Sequence, residues 1–182
     1  MRIGLVRHFK VDLKKKRLMT AKEYNEHVYN YDRAGVLPNE LVVDSYWEKC
    51  YCSSLPRAIT TAKTIYHGEI IISDKLIEVP TAAWANLGFR MPYYFWPIFA
   101  RFAWIRHHIS QPENRANTIK RLSNIVEQII SENGAESNIL IVSHAGALYE
   151  IKKILRKRSF EGQGFITASN GKLYIFDWKN RH

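Results

Sequence analysis

The chain alternates short apolar runs with longer stretches in which apolar residues recur every three or four positions. Short continuous runs are typical of buried strands, and the longer period is typical of helices with one buried face. We predict strands over residues 3–6, 46–53, 69–73 and 138–142. We predict helices over residues 20–33, 55–66, 112–133 and 147–155. Strands that alternate with helices indicate an α/β layered fold.

Local signals mark several element boundaries. Thr20 and Glu23 have the spacing of a capping box, which places a helix start at Thr20. Asn133 and Gly134 end the longest periodic stretch. Near the C-terminus, the strand-like runs 165–169 and 172–178 flank Asn170-Gly171, which predicts a hairpin.

One segment, residues 79–112, interrupts the alternation. It contains no Asp or Glu, and it concentrates aromatic residues together with Arg90, Arg101 and Arg106. Its large aromatic residues are Trp84, Phe89, Tyr93, Tyr94, Phe95, Trp96, Phe99, Phe102 and Trp104. This composition predicts an insertion into the α/β core.

The length and composition fit one folded domain. The chain has 182 residues, 46% of them hydrophobic, with a mean hydropathy of −0.29. It has no internal repeat and no linker rich in Pro, Gly or Ser, so we predict a single domain over residues 1–182 with the insertion at about 79–112.

The net charge of +10 favours anionic partners such as phosphate esters, nucleic acid, anionic lipid or acidic protein. The most apolar stretch, residues 93–105, is too short to span a bilayer, and the N-terminus lacks the apolar run of a secretory signal. Cys50 and Cys52 are the only cysteines, and their spacing does not favour a disulfide bond. We therefore expect free thiols, no membrane insertion and a cytoplasmic location.

Polar residues follow three of the predicted strands. Arg7 and His8 follow the first strand, His144 follows the last, and Arg57 lies just after the strand that ends near residue 53. Open α/β sheets bind ligands at the carboxyl ends of their strands, so these four side chains are expected to converge.

Two arginines and two histidines have a direct chemical interpretation. Arginine binds phosphate oxygens bidentately, and a neutral imidazole is a nucleophile that forms covalent intermediates. Glu78, just after the predicted strand 69–73, is the carboxyl group best placed to protonate a leaving alkoxide.

The order and spacing of four motifs resemble the histidine phosphatase superfamily, the phosphoglycerate-mutase-like proteins. The motifs are Leu5-Val6-Arg7-His8, the stretch from Ser53 to Ala62, Leu76-Ile77-Glu78, and Val142-Ser143-His144-Ala145-Gly146. The resemblance implies that His8 is the phosphorylated nucleophile. It also implies that Arg7, Arg57 and His144 hold the phosphoryl group, with the N–H of Ala145 available to it, and that Glu78 is the acid and then the base.

The sequence departs from that family near the nucleophile. Phe9 stands where the family usually has glycine, Val11 replaces a frequent hydroxyl residue, and Lys14 replaces a frequent asparagine. Two usual phosphate contacts are therefore missing or replaced.

No cofactor or metal is expected. His107 and His108 are adjacent and cannot easily bind one ion on a helix, and the glycine-rich nucleotide-binding motifs are absent. The aromatic segment has three interpretations: packed core, a lid over the phosphate site, or a surface anchor. We favour the lid, with Trp84, Phe89, Arg90 and Arg106 facing the substrate.

The leading hypothesis is a metal-independent phosphomonoester hydrolase that acts through a phosphohistidine on His8. Its fold would be a three-layer α/β/α sandwich with a mostly parallel central sheet, and its partner a small phosphorylated molecule. The alternatives are a mutase-like phosphoryl transferase and a phosphate-binding protein with little turnover. Nucleic-acid binding has only the charge in its favour and is not expected.

Overall fold

A six-stranded sheet forms the centre of the fold in the computed structural model, which describes residues 1–179. In chain order the elements are β1 (Arg2–Arg7), β2 (Leu18–Met19), α1 (Ala21–Arg33), β3 (Lys49–Ser53), α2 (Pro56–Ile65), β4 (Ile70–Ser73), a 3-10 turn (Asp74–Leu76), β5 (Met91–Pro92), α3 (Phe95–Ile105), α4 (Arg115–Glu132), β6 (Asn138–Ser143), α5 (Ala145–Lys157), β7 (Phe160–Gly162) and β8 (Leu173–Trp178).

The sheet is mostly parallel. Its strand order is β4-β3-β6-β1-β8-β7, and β4, β3, β6 and β1 run in the same direction. β8 pairs antiparallel with β1, and β7 pairs antiparallel with β8. The predicted three-layer fold class is thus confirmed.

Alternating residues of the strands build a core on each face of the sheet. On β6, Ile139 and Ile141 pack with α4 and α5, whereas Leu140 and Val142 pack with α2. This period of two explains why the run 138–142 is apolar throughout, since a central strand is covered on both faces. Cys50 and Cys52 of β3 lie in the α2-side core as free thiols, as predicted.

The capping box at the start of α1 is confirmed. Thr20 Oγ1 accepts a hydrogen bond from Glu23 N at 3.2 Å, and Glu23 Oε2 accepts one from Thr20 N at 2.9 Å. The longest predicted helix is also present, although it begins at Arg115 because Asn114 caps its N-terminus.

The predicted C-terminal hairpin is wrong in its first strand. β8 pairs with β7, which lies before the run 165–169. The carbonyl groups of that run bind side chains instead: Phe165 O accepts from Lys152 Nζ, and Ala168 O accepts from Arg7 Nη1 at 2.8 Å. The run is therefore a loop packed beneath the C-terminal edge of β1.

The aromatic segment packs on α1 through a third apolar cluster. Trp96 is fully buried, stacks on Tyr24 with 5.6 Å between ring centroids, and donates a hydrogen bond to Met19 O at 3.1 Å. β5 pairs with β2 and joins the segment to the loop that follows β1. In the described part of the chain, no helix has both the length and the apolar composition needed to cross a membrane.

Candidate active site

The carboxyl ends of β1, β3 and β6 bring the predicted site residues together. Arg7 pairs in register with Ser143, so His8 and His144 lie side by side with 5.0 Å between their ring centroids. Arg57 enters from the first turn of α2, directly after β3. His8, Arg57 and His144 each have at most 1% of their surface exposed.

A contact with the backbone of Phe9 orients the His8 ring. Its Nδ1 lies 2.6 Å from the carbonyl oxygen of Phe9. Because a carbonyl oxygen only accepts, Nδ1 carries the proton and Nε2 keeps its lone pair. Burial lowers the pKa of His8 to about 3, and the nearby positive charges of Arg57 and Arg7 act in the same direction. The imidazole is therefore neutral near pH 7.

The bulky residue after His8 does not occupy the site. The Phe9 side chain is buried in the apolar cluster on the α2 side of the sheet. The backbone N–H of Phe9 donates a hydrogen bond to Thr61 Oγ1 at 2.9 Å. Val11 is buried and forms an isolated bridge with Val36. Lys14 is exposed and lines a small groove together with Glu23, Glu26 and His27 of α1.

His144 is oriented by Ser53. Its Nε2 lies 2.7 Å from Ser53 Oγ, and Ser53 Oγ accepts a hydrogen bond from Leu55 N at 3.3 Å. When the Ser53 hydroxyl donates to Nε2, the proton of His144 resides on Nδ1, which is buried without a hydrogen-bond partner. Burial, with Arg57 as the next cause, holds the pKa of His144 well below its usual value.

Both arginines also retain a buried N–H without a partner. Arg7 donates from Nη1 to Ala168 O, and Arg57 donates from Nη1 to Asp32 Oδ1 at 2.9 Å. The Nε atoms of Arg7 and Arg57 are buried and unpaired, like Nδ1 of His144. An unpaired buried donor costs about 1–3 kcal/mol. These three donors belong to residues at the carboxyl ends of neighbouring strands, and an oxyanion within reach of them would satisfy them.

Glu78 lies at the N-terminus of α5. Its Oε1 accepts from Val79 N at 2.9 Å and from Ala147 N at 3.0 Å, and its Oε2 accepts from Gly146 N at 3.3 Å. The close approach depends on Gly146, because a Cβ there would lie 2.7 Å from Oε1. These contacts fix the carboxyl group at the edge of the cavity that Arg7 and Arg57 line.

That cavity has a volume of about 380 Å³. One wall is the face of α1 that carries Tyr24, His27 and Tyr31, and the adjoining wall includes Tyr93, which packs on His27, and Pro97. The sequence interpretation assigned no role to α1 or to Ser53. Residues 24, 27 and 31 are spaced by three and four positions and therefore share one face of α1. This spacing is the sequence signal from which the wall could have been predicted.

The residues predicted to form the substrate lid lie elsewhere on the aromatic segment. Trp84 packs on Phe99 with 5.5 Å between ring centroids, Arg90 forms an ion pair with Glu23, and Phe89 and Arg106 are exposed. The segment residues that line the cavity are Val79, Pro80, Thr81, Tyr93 and Pro97. The lid role remains a prediction.

Ala145, predicted to offer its N–H to phosphate, is the first residue of α5, so that N–H has no acceptor within the helix. It lines a neighbouring cavity of about 540 Å³ on the other side of Glu78. Among residues 1–179, no cluster of three or more His, Cys, Asp or Glu side chains has a metal-binding arrangement. Metal independence and the role of Ala145 remain predictions.

Comparison with known proteins identifies relatives at the level of family and fold. The family model "Histidine phosphatase superfamily (branch 1)" matches residues 37–182. A search of curated proteins found no significant match.

Several solved structures share the fold. The alpha-ribazole phosphatase from Shigella flexneri has a TM-score of 0.57 and 20% sequence identity, over 96% of this chain and 89% of that chain. The mycobacterial glucosyl-3-phosphoglycerate phosphatase complexed with VO3 has a TM-score of 0.54 and 14% identity, over 98% and 96%. The phosphoserine phosphatase from Entamoeba histolytica has a TM-score of 0.52 and 17% identity, over 86% and 80%.

Proposed function

The chain belongs to the histidine phosphatase superfamily, branch 1, and from this premise we propose that it hydrolyses small phosphomonoesters through a phosphohistidine on His8, without a metal ion. Membership of the superfamily supports phosphatase activity in general. The finer assignment depends on how this chain arranges its own residues around His8.

The observation that carries the proposal is the set of three unpaired buried donors beside a neutral imidazole. Nε of Arg7, Nε of Arg57 and Nδ1 of His144 have no acceptor in the described structure, and Nε2 of His8 keeps its lone pair. A phosphoryl group brings several acceptor oxygens and an electrophilic phosphorus. Charge stabilisation and positioning are most of what phosphoryl transfer requires of a protein.

In the first step, His8 Nε2 attacks phosphorus, and the bond between phosphorus and the ester oxygen breaks. The leaving alkoxide takes a proton from the Glu78 carboxyl group, and the alcohol departs. In the second step, water attacks phosphorus and transfers a proton to Glu78, the N–P bond breaks, and inorganic phosphate leaves. The enzyme returns to its initial state with His8 neutral and Glu78 protonated.

The test is a release assay across a panel of phosphomonoesters with EDTA present, followed by trapping of an acid-labile phosphoenzyme. We expect turnover that EDTA does not reduce, and we expect His8→Ala to lose the phosphoenzyme and nearly all turnover. Glu78→Gln should still form phosphoenzyme from esters with good leaving groups, because the first step then needs no acid. His67→Ala, on an exposed residue outside the site, is the matched control.

Wild-type rates in the His8→Ala variant would overturn the mechanism. Loss of turnover in EDTA that one divalent ion restores would overturn metal independence. Isotope exchange between two monophosphates that exceeds phosphate release would identify a transferase instead of a hydrolase.

A phosphate-binding protein with little turnover is the second candidate, because Phe9, Val11 and Lys14 replace residues that the family usually has near the nucleophile. Tight binding of vanadate or phosphate without ester hydrolysis would support this candidate.

A further inference from the structure

The helix α3 turns an apolar face away from the protein. Phe95, Ile98, Phe99, Phe102 and Ile105 follow the spacing of one helix face and are all exposed, Phe102 at 60%. We call these five residues the outer α3 face. Ile109, just beyond the helix, is 96% exposed. Soluble proteins rarely expose a contiguous apolar surface without a partner.

The opposite side of α3 fixes how the helix is seated. Trp96, Ala100 and Trp104 are buried, and the indole N–H of Trp104 donates to Thr118 Oγ1 at 3.0 Å. Because these contacts anchor the helix to α1 and α4, the outer α3 face is not available to the core. The catalytic cavity does not use this face either, since Tyr93 and Pro97 line it from the helix start.

Positive charge borders the outer α3 face at both ends. Arg106 is exposed just after the helix. At the other end lies the basic run of residues 14–17, in which the Lys15 ammonium is 4.8 Å from the ring centroid of Tyr94. Glu23 on α1 already pairs with Lys16 and Arg90. The segment 79–112 contributes no acidic residue.

We propose that the outer α3 face docks on the surface of an anionic lipid bilayer. Apolar and aromatic side chains enter the interface between headgroups and acyl chains, and flanking lysines and arginines bind lipid phosphates. The arrangement suits a peripheral, reversible contact.

A second copy of the chain fits this surface less well. In a two-fold symmetric dimer the same patch faces itself, so the cationic borders of two copies would lie close together without carboxylates to offset them. An anionic bilayer supplies both the apolar layer and the opposite charge.

Sedimentation with lipid vesicles tests the proposal. We expect wild-type protein to bind vesicles of phosphatidylcholine mixed with phosphatidylglycerol, and to bind vesicles of phosphatidylcholine alone much less. Ile98→Glu combined with Phe102→Glu should reduce binding at least about tenfold, because two apolar contacts become two charges repelled by the lipid. Lys14→Gln combined with Arg17→Gln should weaken binding to the mixed vesicles only.

Val42→Glu is the matched control, since Val42 is 87% exposed and lies outside α3. Circular dichroism and thermal unfolding establish that each variant is folded. The proposal is overturned if wild-type protein does not bind the mixed vesicles, or if Val42→Glu weakens binding as much as the α3 variant. It is also overturned if light scattering finds a dimer that the α3 variant dissociates.

Discussion

At Arg57 the guanidinium group is only partly paired, through its contact with Asp32. Nη1 is paired with the Asp32 carboxylate, whereas Nε is buried and unpaired. The Asp32 side chain is 40% exposed, so its charge is partly screened by solvent. A phosphate that reaches Arg57 meets this carboxylate as a like charge.

We expect Asp32→Asn to bind phosphate and vanadate more tightly, by roughly three- to tenfold, because the repulsion is removed while a carbonyl oxygen remains for Arg57. The measurement is the inhibition constant of each anion in the ester hydrolysis assay, or a direct binding titration. Asp44→Asn, on the exposed surface, serves as the control. Weaker anion binding in Asp32→Asn would instead show that the carboxylate holds Arg57 in its binding position.

At the scale of elements, α1 and the aromatic segment both contribute walls to the cavity. Tyr24, His27 and Tyr31 line one wall, and Tyr93 and Pro97 line the other. Under the proposed function, the strand ends hold the phosphate of the substrate and these walls contact the rest of it, so we expect the walls to determine specificity.

Tyr93→Ala should therefore raise KM for the best ester of the panel several-fold more than KM for a small aryl phosphate, because binding contacts remote from the phosphate are lost. Phe89→Ala is the comparison, since Phe89 is 61% exposed and outside the cavity. No selective effect in Tyr93→Ala would contradict the assignment of the wall. An equal selective effect in Phe89→Ala would instead support the lid that the sequence predicts.

Elements with strong local signals were predictable from the sequence, and contacts between distant residues were not. The apolar run of β6 and the capping box of α1 are encoded by neighbouring residues. The run 165–169 was wrongly predicted as a strand. Its carbonyl groups bind side chains of other elements, Arg7 at the end of β1 and Lys152 on α5, and these contacts leave no pattern in the run itself. Arg90 has no carboxylate within its own segment, yet it pairs with Glu23 on α1.

The same division applies to the site. The sequence predicted that His8, Arg57 and His144 lie together. That prediction requires only that the strands before them are parallel neighbours in the sheet, because the carboxyl ends of such strands share one edge. The orientation of His144 by Ser53 and the pairing of Arg57 with Asp32 depend on side-chain packing across elements. Residue spacing carries no information about such contacts.

For the whole molecule, the two buried histidines couple stability to pH. Their pKa values are lowered in the folded state, to about 3 for His8 and well below the usual value for His144, chiefly by burial. Below about pH 6.5 the unfolded chain therefore binds protons that the folded chain does not. The free energy of unfolding consequently decreases as the pH falls from about 6.5 toward 3.

Between about pH 7 and pH 5 we expect His8 to contribute a loss of about 2 kcal/mol in the free energy of unfolding, and we expect His144 to contribute a loss in the same direction. Urea unfolding at several pH values measures the slope. His144→Gln should make the slope shallower, whereas His67→Gln, on an exposed residue, should leave it unchanged. A wild-type slope of zero over this range would show that the histidines protonate in the folded state.

The two cysteines of β3 are buried, so we expect them to react slowly with thiol reagents while the chain is folded. Burial raises the pKa of Cys50 to about 12, and the pKa of Cys52 is also raised. Near neutral pH the thiolate, the form that alkylating agents and peroxides attack, is therefore a very small fraction of Cys50. Both residues lie in the central sheet, so their capture requires that the sheet open. The rate at which a thiol reagent modifies Cys50 and Cys52 therefore reports how often the central sheet opens.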